Sequence, residues 1–467
     1  MSTPKEYLEE LEAKTLSPVW NTIGVKRDAS GNFKVLVVGY GTNAEKYKLK
    51  TFTSEGLLLS DTDFKSLSDL NSTDVSLFQS IFGRQLPDIK KTRVRIGAFA
   101  PPPVTVIDPE PPAPIDFGDI VGDYNANTGY GEIDLREALE LITGEELDEV
   151  SDTQGKVSVT DTFKVTDPTL TRSGALEAHA AGYKGQEIIV AVIDTGVNIN
   201  HNDIDDNIWR NTDEIAGNGI DDDGNGYIDD IHGWNTADNN NDISDIQGHG
   251  THVAGIIAAE DNGIGRCGVA PEVKIMVLNS FKEDADGNVS AAQADTNEAI
   301  YYAVDNGAHV INMSLGSEFP FILDERKEAL KYASDNGVIC VYAAGNAGAS
   351  RPGTPGIAAH DIGVVVGAVD SSGRQANFSN KAGGPGDFLD DGVANQLYVT
   401  AAGVSIWSHD RASNDGLVNK QGTSMACPVV AGAIAVMLSA EPDLDENDIR
   451  VILANTSYDS AGAIRGF

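Results

Sequence analysis

Five short, largely apolar runs, spaced by stretches of helical character, constrain this chain more than any other feature. They cover residues 188–193, 273–278, 310–313, 338–343 and 362–366, interrupted only by Lys274 and Asn312. A nearly continuous apolar run suits a strand buried on both faces of a parallel sheet. Helical segments lie between them, over 291–306 and 324–336. Strands alternating with helices make an α/β fold, a parallel sheet sandwiched between helices on both faces. Ligands bind such sheets outside the carboxyl ends of the strands. The first run ends there in Asp194-Thr195-Gly196.

The rest of the chain has a different texture. At 467 residues, two or three domains are expected. Residues 1–100 hold 14 Lys and Arg against 12 Asp and Glu, a balance of +2, so with a net charge of −38 overall the remaining residues carry −40. That split predicts modules with different surfaces. Residues 1–100 read as a smaller α+β or mainly β module. It has a capped helix over 1–16, starting at Thr3-Pro4 with Glu6, and strand-like runs at 33–38 and 93–96. Residues 101–170 read as a Pro-rich, acidic linker or pro-region, with a helix over about 135–147. Residues 171–467 form the α/β domain. The acidic surface repels nucleic acid and anionic lipid, so neither is a partner. It suits calcium, cationic ligands or a salty medium, or serves solubility alone.

Three cysteines, Cys267, Cys340 and Cys427, are too few and too scattered for a disulfide framework. The start lacks the apolar core of a signal peptide. The longest apolar stretch, about ten residues over 429–438, is too short to span a bilayer. An intracellular or particle-borne protein is therefore expected over ordinary secretion, with no membrane partner.

Three segments carry chemistry. Val192-Ile193-Asp194-Thr195-Gly196, Gly248-His249-Gly250-Thr251-His252 and Gly422-Thr423-Ser424-Met425-Ala426 present a carboxylate, an imidazole and a hydroxyl, in that order. Singly, each has a plain reading: a turn aspartate, a polar residue at a helix start, a serine N-cap. Together they supply a nucleophile, a base for its proton and an acid that holds the base's tautomer. Ser424 precedes an apolar helix, whose N–H groups and dipole favour a developing oxyanion. Asn346, in Ala343-Ala344-Gly345-Asn346, follows a buried-strand pattern and so sits at a strand end.

These segments resemble those of the subtilisin-like serine proteases, over roughly residues 172–457. The stretch from Tyr183 to Asp194 looks like that family's opening strand. Gly268-Val269-Ala270-Pro271, Gly367-Ala368-Val369-Asp370 and Phe378-Ser379-Asn380 also match. The resemblance implies a serine endopeptidase acting on protein or peptide substrates through an acyl-enzyme. It assigns Asn346 and the Ser424 N–H to the oxyanion. It makes Ile311-Asn312-Met313-Ser314-Leu315-Gly316 an edge strand that pairs with substrate. Ser314, Leu315 and Gly316, with Ala343, Ala344 and Gly345, would line the pocket. Pro428-Val429-Val430 departs from the family's Pro-His-Val, and residues 350–360 are atypical, which leaves pocket size open. The rival reading is a catalytically silent protease fold serving an assembly as a structural or binding module.

Between Asp194 and His249 lies a long acidic connection. Counted from Asp221, oxygen-bearing side chains fall at positions 1, 3, 5 and 9, as Asp221, Asp223, Asn225 and Asp229. Gly226 is at 6 and Tyr227 offers a carbonyl at 7, which matches most of an EF-hand-type calcium loop. Position 12 is His232 rather than Glu, so Asp230 is the candidate for the missing carboxylate. A structural calcium ion is expected here; a solvated acidic turn is the alternative. Residues 1–170 read either as an atypical pro-region, making the chain a self-processing zymogen whose N-terminal part inhibits the site, or as a tether to an assembly.

Overall fold

The structure, a computed structural model, describes residues 20–27, 33–39, 47–52, 58–64, 120, 124–150, 166–317, 324–353, 362–383 and 397–458. The helix expected over 1–16, the strand at 93–96 and the Pro-rich stretch at 101–114 lie outside the described residues. The chain divides into two compact units that part near residue 109.

The first unit holds β1 (Trp20–Arg27), β2 (Phe33–Gly39), β3 (Tyr47–Phe52) and β4 (Leu58–Phe64). They form an antiparallel meander in the order β1-β2-β3-β4.

The second unit is built on seven strands: β5 (Ile189–Asp194), β6 (Gly233–Asn235), β7 (Lys274–Asn279), β10 (Val310–Met313), β11 (Ile339–Ala343), β12 (Val364–Val369) and β13 (Tyr398–Ala402). Their order is β13-β12-β11-β10-β5-β7-β6, and every pairing is parallel. Two hairpins stand apart, β8 (Phe281–Glu283) with β9 (Val289–Ala291), and β14 (Ile406–His409) with β15 (Leu417–Lys420).

Alternation along each strand sends side chains into two cores. Val190, Val192, Ile275, Val277, Val341 and Val366 enter one of them. It is closed by α1 (Leu135–Thr143), α4 (Gly250–Ala258), α7 (Thr423–Ala440) and α8 (Glu446–Thr456). Ala191, Ile193, Met276, Leu278, Ile311 and Cys340 enter the other, under α5 (Gln293–Asp305) and α6 (Asp324–Asp335). This is the parallel-sheet α/β sandwich, with helices on both faces, expected from the apolar runs. Helix α7 is long and apolar enough to cross a membrane, longer than the stretch read from sequence. Here it is the central core helix, buried from Met425 to Leu438.

The linker expected over 101–170 does not fill that range. Residues 124–150 and the short helices α2 (Pro168–Thr171) and α3 (Ala175–Ala181) belong to the second unit. Leu135, Ala138, Leu139 and Ile142 of α1 are buried in its core. Just upstream, the chain lies along edge strand β13: Tyr130 N donates to the Tyr398 carbonyl (2.9 Å) and Ile133 N to that of Thr400 (3.1 Å). Gly129 makes this approach possible, because a Cβ there would stand 2.0 Å from the Tyr398 carbonyl oxygen. The sequence pattern missed this because the stretch is acidic overall and its apolar positions are few.

Strand order reverses at β5. From it the chain builds outward to β7 and β6 on one side and to β10, β11, β12 and β13 on the other. The crevice beyond such a reversal is where doubly wound sheets bind ligands. Asp194 ends β5.

Candidate active site

Asp194 is almost fully buried, 1 % exposed. Its Oδ1 accepts the Thr195 N–H (2.8 Å), which sets the carboxylate's orientation. His249 stands at the N-terminal end of α4, and its Nδ1 lies 2.8 Å from Asp194 Oδ1 and 2.9 Å from Oδ2. A carboxylate only accepts, so Nδ1 carries the proton and Nε2 is left with its lone pair. Burial disfavours the imidazolium, but the Asp194 charge and hydrogen bond outweigh it and hold the His249 pKa above its ordinary value. The two elements approach closely: a Cβ on Gly250 would stand 2.1 Å from the Gly196 carbonyl oxygen.

Ser424 is the second residue of α7. Its Oγ donates to the Ser314 carbonyl (2.9 Å), and Ser314 Oγ donates in return to the Ser424 carbonyl (3.0 Å). Pro428 explains the second bond. It lies inside the helix, four residues on, and has no N–H to offer the Ser424 carbonyl. The Ser314 hydroxyl takes its place, joining the helix that carries Ser424 to the end of β10.

Asn346 follows β11 and is clamped by Thr423. Its Oδ1 accepts the Thr423 N–H (2.9 Å) and hydroxyl (3.1 Å). A backbone N–H can only donate, so the amide's orientation is settled and Nδ2 is the group that can donate into the cleft. Thr423 Oγ1 also accepts the Gly345 N–H (3.1 Å), tying the two loops together.

His249, Ser424 and Asn346 line one cleft of about 310 Å³, with Ser314, Leu315 and Gly316 along one wall. Ala343 and Gly345 line it too. Ala344 does not: its side chain is buried in the core below. The strand expected at an edge, from Ile311, is an interior one, with β10 between β11 and β5. Only its extension, 314–316, leaves the sheet for the cleft. Phe281 and Val289, from the β8–β9 hairpin, form part of the lining. They were not legible in the sequence, because the two three-residue strands flank an ordinary-looking acidic turn, 284–288, and carry no pattern of their own.

The acidic connection arranges itself differently from the loop pattern. Ligand oxygens of Glu214, Asp221 and Asp223 lie within 4.8 Å of one another. Glu214 was outside the pattern, seven residues upstream of Asp221. Asn225 is exposed, in the turn between Gly224 and Gly226. Tyr227 packs its ring on Trp234 (5.1 Å) and Tyr302 (4.8 Å). The Asp229 carboxylate accepts the N–H groups of Asn218 (3.1 Å) and Gly219 (2.9 Å). Asp230 accepts the Tyr302 hydroxyl (2.5 Å) and the Asn211 amide (3.0 Å). Glu214 is bonded likewise, accepting the N–H groups of Asp222 (2.7 Å), Asp223 (3.1 Å) and Asp229 (3.1 Å), so what sets it with Asp221 and Asp223 is the closeness of their oxygens.

A family model described as "Subtilase family" matches residues 185–466. Subtilisin DY of Bacillus licheniformis is 35% identical over 283 residues, 60% of this chain and 87% of its own length. Subtilisin BL of Lederbergia lenta is 34% identical over 288 residues, 62% of this chain and 90% of its own. The thermophilic serine proteinase of Bacillus sp. (strain AK1) is 38% identical over 259 residues, 55% of this chain and 53% of its own. Among solved structures, a cold adapted subtilisin-like serine proteinase is 26% identical, with a TM-score of 0.45, covering 61% of this chain and 89% of its own.

Proposed function

The chain belongs to the subtilase family of serine-type endopeptidases, and from that premise we propose that Asp194, His249, Ser424 and Asn346 carry its peptide hydrolysis. The observation that carries this is the Asp194–His249 pair, with Nδ1 bonded to the carboxylate (2.8 Å) beside the cleft that Ser424 and Asn346 line. With a peptide bound along 314–316, the Ser424 hydroxyl leaves the Ser314 carbonyl and turns to His249 Nε2. The imidazole takes the proton as Oγ attacks the scissile carbonyl. The charge of Asp194 stabilises the imidazolium that forms. Asn346 Nδ2 and the Ser424 N–H, an orphan donor of the first turn of α7, hold the oxyanion. His249 returns its proton to the leaving amine, and water then releases the acyl group by the same path.

Calcium belongs to the same proposal. Three carboxylate oxygens within 4.8 Å of one another, with no nitrogen or sulfur among them, fit a hard divalent cation. Glu214, Asp221 and Asp223 would hold it, and its charge would relieve their mutual repulsion. The proposal extends to self-processing of the N-terminal region, with that region acting on the site as an inhibitor.

A fluorophosphonate probe, which reacts with an activated serine, tests the reading. The processed wild type should label and Ser424→Ala should not. An unlabelled wild type, processed and calcium-loaded, would sink it and favour the silent fold.

A further inference from the structure

Resting on that catalytic reading, we propose that Asp245 is a positioning residue for the catalytic pair, holding the strand end that carries Asp194 and the helix start that carries His249 in one frame. Asp245 is buried, 9 % exposed, and five donors converge on its carboxylate. Oδ1 accepts the Thr195 hydroxyl (2.8 Å) and the N–H groups of Gln247 (2.9 Å) and Gly248 (2.6 Å). Oδ2 accepts the N–H (2.9 Å) and the hydroxyl (2.6 Å) of Thr251.

The need for this arrangement follows from the chemistry of His249. A helix start leaves orphan N–H groups, and the residue at the N-cap position ordinarily accepts one of them with its side chain. His249 occupies that position and gives no such bond, because its ring is turned to Asp194. The first turn of α4 is capped by proxy: Gly250 N donates to Thr195 Oγ1 (3.0 Å) and Thr251 N to Asp245. A carboxylate acting only as a helix cap would account for the bonds from Thr251. It would not account for Thr195, which lies fifty residues upstream and adjoins Asp194 in the chain. Thr195 Oγ1 donates to Asp245 and accepts from Gly250, so one hydroxyl spans the joint between the two catalytic elements. Ile246 N adds a bond to the Thr195 carbonyl (3.0 Å).

Asp245 also contributes charge. The groups facing His249 are Asp194 from the end of β5, Asp245 from the loop before α4, Lys420 from β15 and His252 from the next turn of α4. Arg411 lies beside Gly248 and donates to the Asp245 carbonyl (2.7 Å). Without the Asp245 carboxylate, burial and Lys420 face one fewer opponent, and the imidazole becomes more acidic.

Asp245→Asn separates this role from simple stabilisation. An amide keeps one acceptor oxygen and turns an NH₂ toward backbone N–H groups that can only donate, so at least the Thr251 N–H or the Gly248 N–H bond is lost. Active sites are first titrated with the fluorophosphonate probe, so that unfolded protein does not count. On a peptide substrate, kcat per titrated site should then fall about 10–10²-fold, with KM nearly unchanged. The acid limb of the kcat/KM profile should move to lower pH. Thr195→Val keeps the carboxylate but cuts the span: kcat should fall while the acid limb stays in place. Wild-type kcat and an unshifted acid limb in Asp245→Asn would overturn the proposal. If Asp245→Asn does not fold, an unchanged kcat in Thr195→Val overturns it. A wild type that labels while both variants behave like it refutes the positioning role alone. A wild type that never labels refutes the catalytic reading with it.

Discussion

Replacing Arg266 by Met should cost this fold about 3–5 kcal/mol, the usual cost of removing one partner from a buried ion pair. Arg266 is 1 % exposed and its guanidinium is committed on every side. Nη2 contacts Asp167 Oδ2 (3.2 Å) and Thr169 Oγ1 (2.8 Å), Nη1 donates to the Trp407 carbonyl (2.7 Å), and Nε to that of Cys267 (3.2 Å). These bonds join the start of α2, the loop after α4 and strand β14. Methionine fills much of the volume but leaves a buried carboxylate without its counter-charge and takes one donor from each of two carbonyls. Asp167 keeps its bonds from Thr169 N (2.8 Å) and Oγ1 (2.7 Å), which places the expected cost within that range rather than above it. The unfolding entropy, about 2.1 cal/mol/K per residue over roughly 350 residues, converts this to a melting shift of about 4–7 °C. Calorimetry in a Ser424→Ala background, where autolysis cannot intrude, reads the shift. Asp167→Asn/Arg266→Met should be less damaging than the two single changes added together, by roughly 1–3 kcal/mol. A shift below about 1 °C, or strict additivity, would refute the reasoning, because the pair would then contribute nothing beyond its separate bonds.

Asn346→Ala should lower kcat about 10²–10³-fold, a figure taken from subtilisin's own oxyanion asparagine, with KM nearly unchanged; a rise in KM alone would remove Asn346 from the oxyanion. His252 is buried and neutral, its pKa pushed down to about 3 by burial and by Arg266, Lys420 and His249. The unfolded chain takes up a proton there from about pH 6.5 downward, while the folded one does not until about 3. Stability should therefore fall by about 1.4 kcal/mol per pH unit across that window from this group alone. Urea melts of His252→Gln in the Ser424→Ala background should show a slope shallower by that amount, and an equal slope counts against the assignment. Excess calcium should raise the melting temperature over that in chelator, and Asp221→Ala/Asp223→Ala should abolish most of the difference; an undiminished difference would place the ion elsewhere. Active protein should shorten itself between residues 101 and 170 while Ser424→Ala stays intact, as intact mass would show. A cut within 129–142 is not expected, since Tyr130 and Ile133 are bonded to β13 and Leu135, Ala138, Leu139 and Ile142 anchor the segment in the core.

Strands β5, β7, β10, β11 and β12 were legible because burial on both faces leaves a nearly continuous apolar run. Edge strand β13 was not, because Tyr398 and Thr400 alternate with Val399 and the only other apolar residues are two alanines. The three-residue β6 was too short to carry a signal. Asp194, His249 and Ser424 were legible because the glycines that permit close backbone approach mark them locally. Asp245, Thr195 and Thr423 escaped, since each acts by bonds across long sequence separations that no local pattern encodes. Glu214 escaped for the same reason. Spacing alone grouped Asp229 and Asp230 with Asp221 and Asp223; packing gave the first two to backbone amides, an asparagine and a tyrosine.

The two walls of the cleft are anchored very differently. Ser424 starts a helix whose body lies in the middle of the larger core, so the amide protons of α7 exchange only when the whole unit unfolds. Phe281 and Val289 stand on a hairpin of two three-residue strands that, among the described residues, pair only with each other, are set largely in solvent and are tied outward by the Lys282–Asp238 ion pair. Such a hairpin is marginal by itself and opens at little cost. On the proposed catalytic reading, a substrate that presses on the hairpin should displace that wall alone, while Ser424, His249 and Asn346 stay held by the core. Hairpin substitutions should then alter which peptides are cleaved while leaving the melting temperature nearly unchanged.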